Sequence, residues 1–379
     1  VSGAPLLELA PLELAASLTI AGLEVPLAEV LAVATVRHGR REPDDQPTSS
    51  TLQLTLTGWA APTVRCGQAV ELAVDGAPLF RGQVSDLAAA FPDGVARLEL
   101  TASGPLAAIA RRKIGYGDWP AEVWSDRAAR IMAEAGWSAY TIDPPRSDDV
   151  VWMAARAASE TSVNAMLADL AITGAACICD QPDGSILLQP LSARHAAPDP
   201  HELAPELVLF APTWRQALDV VNVAVVAYGP LEDSHTTTTR NPQSVSTYGE
   251  RSTELATTFA AIEDAATRGL ELVTRLAAPR WLVDQVSVLG LAATLRTGQR
   301  IMLSELPDGS PVGAAFVAAL EGWAWTLAGD EWSTELALSD PARSGLTLEW
   351  SEAPPTLAWQ DVDPACEWQT AYSVDDVEV

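Results

Sequence analysis

The sequence predicts a mainly β protein with an α/β insertion and an extended C-terminal arm. Three observations carry this reading. Apolar–polar alternation punctuated by turn residues occupies both ends of the folded part, helix-period patterns fall in the middle, and one order of β features occurs twice.

The first stretch, LTIAGLEVPLAEVLAVATVR (18–37), reads as strand, Gly22 turn and further strand. In VRHGRREPDDQPTSSTLQLTLTG (36–58) the polar, proline-bearing first half predicts a loop. Its second half alternates Leu52, Leu54 and Leu56 with Gln53, Thr55 and Thr57, a half-buried strand. Asp75-Gly76 marks a hairpin turn within AVELAVDGAPLFRGQVSDL (69–87), and Pro92-Asp93-Gly94 marks another before a strand carrying Val95, Leu98 and Leu100. Residues 1–105 are therefore expected to form one antiparallel β domain.

The pattern then changes period. Ala128, Ile131, Met132 and Ala135 fall on one helical face, with Ser125 as the expected N-cap and Gly136 at C′. A second helix carries Val163, Met166, Leu167 and Leu170 and stops at Gly174, and a hairpin turns at residues 181–184. These define an insertion over 106–206. Strands resume at 219–229, EDSHTTTTRNPQS (232–244) reads as a mobile loop, and a long helix runs from Ile262 to Leu276 before Pro279. With strands at 281–289, 300–305 and 315–338, residues 207–344 are expected to form a second β domain.

The two β domains share an order of features. Residues 66–105 and 297–341 each begin Gly-Gln, pass through two turns and a strand containing a glycine, and end near a proline. Gly82 and Gly322 serve as the marker glycines, and their different spacing from Gly67 and Gly298 implies a longer hairpin in the second unit.

Composition excludes several functions. The chain has 379 residues, with 50 acidic against 23 basic and a formal net charge of −27. Such a chain repels nucleic acid and anionic membrane. Lys113 is the only lysine, which with the Ala/Arg richness points to a GC-rich genome. The acidic residues interrupting the apolar N-terminus argue against a signal peptide or membrane span there.

Chemistry is sparse. The four histidines are His38, His195, His201 and His235, and no nucleophile elbow, zincin, P-loop or dinucleotide fingerprint occurs. Cys177 and Cys179 with His195 and His201 fit zinc spacing poorly. The acidic pairs Asp44-Asp45, Asp148-Asp149 and Asp375-Asp376 lack a calcium-loop pattern. Trp323 and Trp325 alternate on one strand, as a core face or as a sugar-stacking platform. The expectation is a non-enzyme with no cofactor, no catalytic residue and no metal site.

The stretch VRHGRREPDDQPTSSTLQLTLTG, the hairpin GQAVELAVDGAPLFRGQVSDL and the later STYGERSTELATTF with its helix and strand together resemble phage tail hub proteins, over roughly residues 18–341. The resemblance implies two tail-tube-like β-barrel domains per chain and a homotrimer, whose six barrels match a sixfold tail tube to a threefold tip. It implies a structural virion protein at the distal end of the tail. The expected partners are the distal tail protein ring, the tape measure protein, and downstream tip or receptor-binding proteins, with transient passage of genomic DNA and no membrane anchor. No peptidase or lysozyme-like segment is seen. A carbohydrate-binding or adhesin-like tail module is the alternative that the tryptophan content allows.

The C-terminal segment, 345–379, places Trp350, Trp359 and Trp368 nine residues apart, with Pro354-Pro355 and Pro364 between them. Nine residues along an uninterrupted strand reverse the facing side, so the prolines are needed to reset the phase. The three tryptophans are the expected partner-interface residues. The arm docks either along a neighbouring subunit or tip protein, or back on its own barrel.

Overall fold

The computed structural model describes residues 16–27, 31–40, 47–58, 64–144, 150–191, 193, 201–203, 208, 214–217, 219–283, 286–290, 294–306, 309–312, 315–328 and 331–339. Trp350, Trp359, Trp368, His195 and the three acidic pairs lie outside these residues.

The first unit forms as its alternation predicts. β1 (Ala16–Ile20) and β2 (Leu23–Val25) are followed by β3 (Leu31–Gly39) and β4 (Thr51–Thr57), in which Leu52, Leu54 and Leu56 are buried. β5 (Ala69–Val74) and β6 (Ala77–Ala90) meet through Asp75 and Gly76 at φ +47° and +79°, the two left-handed positions a type I′ hairpin requires. A single 3₁₀ turn at Pro92–Gly94 leads to β7 (Arg97–Ser103).

The insertion comprises α1 (Pro105–Ile109), β8 (Lys113–Ile114), β9 (Glu122–Val123), α2 (Trp124–Glu134), β10 (Tyr140–Ile142), β11 (Trp152–Met153), β12 (Thr161–Ser162), α3 (Val163–Thr173), β13 (Cys177–Asp180) and β14 (Ile186–Gln189). Its own core gathers Ala128, Ile131, Met132, Val163, Leu167 and Leu170. α3 is capped by Ser162, whose hydroxyl accepts from the Ala165 amide. Ser125, expected as the cap of α2, instead lies inside it, and Val123 stands at the N-cap. The Trp124 amide donates to Val151 O and its indole to Leu170 O, so tertiary partners fix the helix start without a side-chain cap.

The rest of the chain forms β15 (His201–Leu203), β16 (Trp214–Ala217), β17 (Val223–Tyr228), β18 (His235–Arg240), α4 (Pro242–Tyr248), β19 (Ser252–Phe259), α5 (Ile262–Arg275), β20 (Arg280–Val283), β21 (Val286–Leu289), β22 (Arg300–Leu303), β23 (Phe316–Ala328) and β24 (Glu331–Ser339). The segment 232–244 is not the loop its polarity predicts. It contains β18, paired with β17 over six residues, and α4, capped by Asn241. Thr237 and Thr239 turn inward and their neighbours outward. A run of four threonines offers the β-branched stiffness of a strand but no apolar–polar contrast, so its period of two is silent in the sequence.

Two large sheets organise these elements. One has twelve strands, in the order β15-β22-β23-β3-β4-β7-β6-β5-β1-β2, with β24 beside β23 and β21 beside β24. It carries the main core, including Leu18, Ile20, Phe80, Leu100, Ile301, Trp325 and Leu336. Among the described residues its ladder is an open path. The second sheet, β18-β17-β19-β11-β9, joins strands of the insertion to strands that follow residue 219 and supports α5. The chain is therefore mainly β, and the expected β units meet edge to edge through the β3–β23 ladder.

Candidate functional site

The two β units repeat at the level of single hydrogen bonds. Gly67 and Gly298 stand at φ +86° and +83°. Gly67 N donates to Val84 O and Val84 N to Gln68 O; Gly298 N donates to Leu320 O and Leu320 N to Gln299 O. The Gln68 and Gln299 side chains each accept from the amide three residues earlier, Arg65 and Arg296. Val84 thus corresponds to Leu320. A β-bulge follows each, between Val84 and Asp86 in one unit and between Leu320 and Gly322 in the other, which matches Ser85 to Glu321. This register corrects the glycine markers: Gly82 corresponds to Ala318, and Gly322 to Asp86.

The seam between the units is built at the second bulge. β23 pairs antiparallel with β3, from Gly322 opposite Gly39 to Ala328 opposite Val33. A Cβ on Gly39 would overlap the Glu321 carbonyl oxygen, and one on Gly322 would overlap the His38 and Arg40 backbone, so only glycines allow this approach. Gly39 also sits at φ +69°. Arg40 N donates to Glu321 O at 2.9 Å, Arg40 Nε to Glu321 Oε2 at 2.5 Å, and Ser339 Oγ to Glu321 Oε1 at 2.7 Å. Both charges are almost fully buried. Burial alone would lower the Arg40 pKa, and the Glu321 carboxylate beside it outweighs that, so the guanidinium is held above its ordinary value.

Aromatic rings back the seam. His38, Trp323 and Trp325 stack with centroids 5.4–5.6 Å apart. Both tryptophans are buried, at 3% and 0% exposure, so neither presents a face for stacking a sugar. His38 Nε2 donates to Leu79 O at 2.7 Å. A cleft of about 500 Å³ opens here, with Arg37, His38, Arg40, Ser49 and Trp323 among its lining residues. Of these, His38 holds the Leu79 carbonyl, Arg40 holds Glu321, and Ser49 holds Asp180.

The insertion is anchored to the same corner. Asp180, at the end of β13, accepts from Ser50 N and Leu106 N at 2.9 Å each and from the hydroxyls of Ser49 and Ser50. Gly104 leaves the space that the Asp180 carboxylate and Ser50 hydroxyl occupy. Cys177 and Cys179 are buried beside it with their sulfurs 4.0 Å apart and not joined as a disulfide. Contact with Cys177 and burial push the Cys179 thiol up, away from a reactive thiolate. Among the described residues no group of three or more His, Cys, Asp and Glu is placed to hold a metal ion.

No family model matches the chain, and no curated protein matches it. Solved structures do. A tail protein from Neisseria meningitidis MC58 aligns at a TM-score of 0.63 with 13% identity, over 88% of this chain and 98% of its own. The 43 kDa tail protein of prophage MuSo2 from Shewanella oneidensis aligns at 0.64 with 12% identity, over 87% and 99%. An Escherichia coli component of the type VI secretion system, described as structurally similar to the T4 bacteriophage tail proteins gp27 and gp5, aligns at 0.52 with 12% identity, over 89% and 80%.

His38 and Asp180 titrate in opposite senses. Burial holds His38 down at about 4, against the pull of the Leu79 and Asp180 carbonyls. The unfolded chain therefore takes up a proton before the native chain does, and stability falls as pH drops from about 6.5 toward 4. Burial raises Asp180 to about 6 despite its donors, so the native chain binds the proton first and stability rises as pH drops from about 6 toward 4. Relative to wild type, the urea midpoint of Asp180→Asn should fall more steeply between pH 6.5 and 4.5, and that of His38→Gln should rise. Equal pH slopes in all three proteins would refute this balance. Matched over 87–88% of its length by two tail-protein structures, the chain has the fold of those tail proteins.

Proposed function

We propose that the chain is a structural protein of a phage-type tail tip, forming a trimeric hub that adapts the sixfold tail tube to a threefold tip. The observation that carries this reading is the pair of register-matched β units joined by one continuous sheet, in a fold shared with prophage tail proteins. Three such chains supply six quasi-equivalent β units around an axis. The distal tail protein ring, the tape measure protein and the tip or receptor-binding proteins are the partners this position implies. The described ionisable groups of the seam serve structure, which agrees with a protein that acts by assembly.

The excess of acidic residues has a role in such a ring. Carboxylates facing the lumen repel DNA phosphates, and the DNA slides past without binding. Neutralising lumen-facing acids, identified once the assembled ring is solved, should slow DNA ejection. Ejection at the wild-type rate would leave the acidity as a matter of solubility.

Native mass spectrometry at micromolar concentration should show a species of three times 40.0 kDa. A chain that stays monomeric with and without its tail partners would remove the hub reading and favour an independent binding module. Truncation before Gly345 should weaken that trimer or its attachment to tip proteins, because three tryptophan anchors are lost. Unchanged assembly by the truncated chain would return the arm to its own barrel.

A further inference from the structure

The seam inside the chain predicts a second seam between chains, and the register of the repeat says which residues form it. In the second unit, β23 is flanked on one side by β24. Its other side is shared in sequence, with β22 beside Phe316–Ala319 and β3 beside Gly322–Ala328. In the first unit, β6 repeats this arrangement only in part. β7 covers one side, and β5 pairs as far as Gln83 on the other. Beyond that point Asp86–Ala90 carry no second strand among the described residues. By the bulge register, this vacant edge corresponds to the stretch of β23 that receives β3.

The strand that would fill it is also identifiable. Within the first unit, Leu54 of β4 pairs with Leu100 of β7, and Arg37 of β3 with Thr51 of β4. Within the second, Val286 pairs with Leu336, and Trp214 of β16 with Val283. Val283 precedes Val286 by the three residues that separate Thr51 from Leu54, so Trp214 corresponds to Arg37. A second check agrees: the Val208–Val288 bridge corresponds to the pair Leu31–Leu56, with the same one-residue shift of register. β16 is therefore the counterpart of β3. It pairs with β20 alone, as a two-stranded sheet among the described residues.

Each chain thus ends in two complementary edges, β6 from Asp86 and β16, that match the two partners already joined inside it. We propose that β16 of one copy pairs antiparallel with β6 of the next, with Trp214 opposite Ala88 and Arg215 opposite Leu87. These pairs repeat Arg37 opposite Ala324 and His38 opposite Trp323. Asp86 and Gln216 occupy the places of Gly322 and Gly39. The ladder therefore stops short of that crossing, where a side chain cannot pass.

Exposure fits a covered edge. Asp86 and Ala88–Ala90 are exposed, Leu87 is half-buried, and Arg215 and Gln216 are exposed. Beyond the bulge and Asp86, the exposed edge runs Leu-Ala-Ala-Ala, with no basic residue or proline to oppose pairing. The contact is heterologous, since the two edges differ, and heterologous contacts close into rings when the rotation permits.

This proposal rests on the hub reading but fails separately from it. In the full-length chain with Cys66→Ser and Cys366→Ser, Ala88→Cys protein mixed with Trp214→Cys protein should form an inter-chain disulfide under mild oxidation, and neither protein alone should. Leu87→Cys with Arg215→Cys gives an independent pair should loss of Trp214 from its edge-on contact with Phe316 harm folding. A chain carrying both cysteines of a pair should link into a covalent trimer without longer ladders. Ala77→Cys, at the far end of β6, should link at least tenfold less with either β16 cysteine. A trimer by native mass spectrometry with no cross-link in either pair would overturn the edge pairing and leave the hub. A persistent monomer with no cross-link would overturn both. Cross-links independent of position would equally refute the register.

Discussion

Everything in the large sheet depends on the crossing of Gly39 and Gly322. At this point two strands distant in sequence approach until backbone fills the space a side chain would need. The bulge at Glu321 makes the approach possible, because the extra residue turns its carboxylate toward Arg40 and Ser339 while its carbonyl accepts the Arg40 amide. The ion pair is not a large source of stability by itself. Two buried charges lose solvation of comparable size, and an apolar pair of the same volume would serve as well or better. Its effect is on register: an unpaired charge left behind by a one-step slip costs several kcal/mol, about 3–5. A one-residue slip would also exchange the faces of β23, moving Trp323 and Trp325 out of the core.

The insertion is held to this corner by a different device. Asp180 gathers two backbone amides and two hydroxyls from the segment before β4 and from the start of α1. Thr48 N donates to Ile178 O alongside. One carboxylate therefore ties the end of β13 to the start of β4 and to the segment just after β7, and it satisfies an amide at the start of α1 that has no intrahelical partner. On the other side, Thr173 of α3 accepts from Thr258 N of β19, where burial raises the nearby Asp169 above its ordinary value. The insertion is consequently not a bead on a string. It shares one sheet with strands that come after residue 219, and its position is fixed relative to the seam.

Much of this was legible in the amino-acid order, and the illegible part has a physical cause. β4 announced itself because Leu and Thr alternate with full contrast, Asp75-Gly76 because few other pairs tolerate two positive φ angles, and α3 because Val163, Met166, Leu167 and Leu170 share a face that Gly174 ends. β18 did not, since four consecutive threonines hide which of them face inward. The N-cap of α2 lies two residues before the expected Ser125, because its first amide is satisfied by Val151, a residue twenty-seven positions away. The repeat was visible in its Gly-Gln starts, but the marker glycines misled: Gly82 lies against Phe80 and Ser103 within its own unit, whereas Gly322 serves the seam. The seam could have been suspected from a single glutamate inside the apolar run FVAALEGWAWTLA, followed at once by glycine. Its partner Arg40, 281 residues earlier, could not have been chosen from spacing.

The two units differ where their assembly roles would differ. Ser85 stands in the first unit where Glu321 stands in the second; its hydroxyl donates to Thr101 O and remains exposed. A junction formed within one chain tolerates a buried ion pair and a glycine crossing, because the covalent connection keeps the strands at high effective concentration and the cost of bringing them together is small. A junction formed between chains has to assemble from separately folded copies, each of which must stay soluble beforehand. A buried carboxylate at Ser85 would meet no arginine, because by the same register Ala217 stands where Arg40 does, and an unpaired charge there would oppose folding. Serine satisfies itself locally and leaves the edge competent in either state. The same bulge thus occurs twice, once locked by charge and once left open, a difference that the proposed inter-chain seam would use.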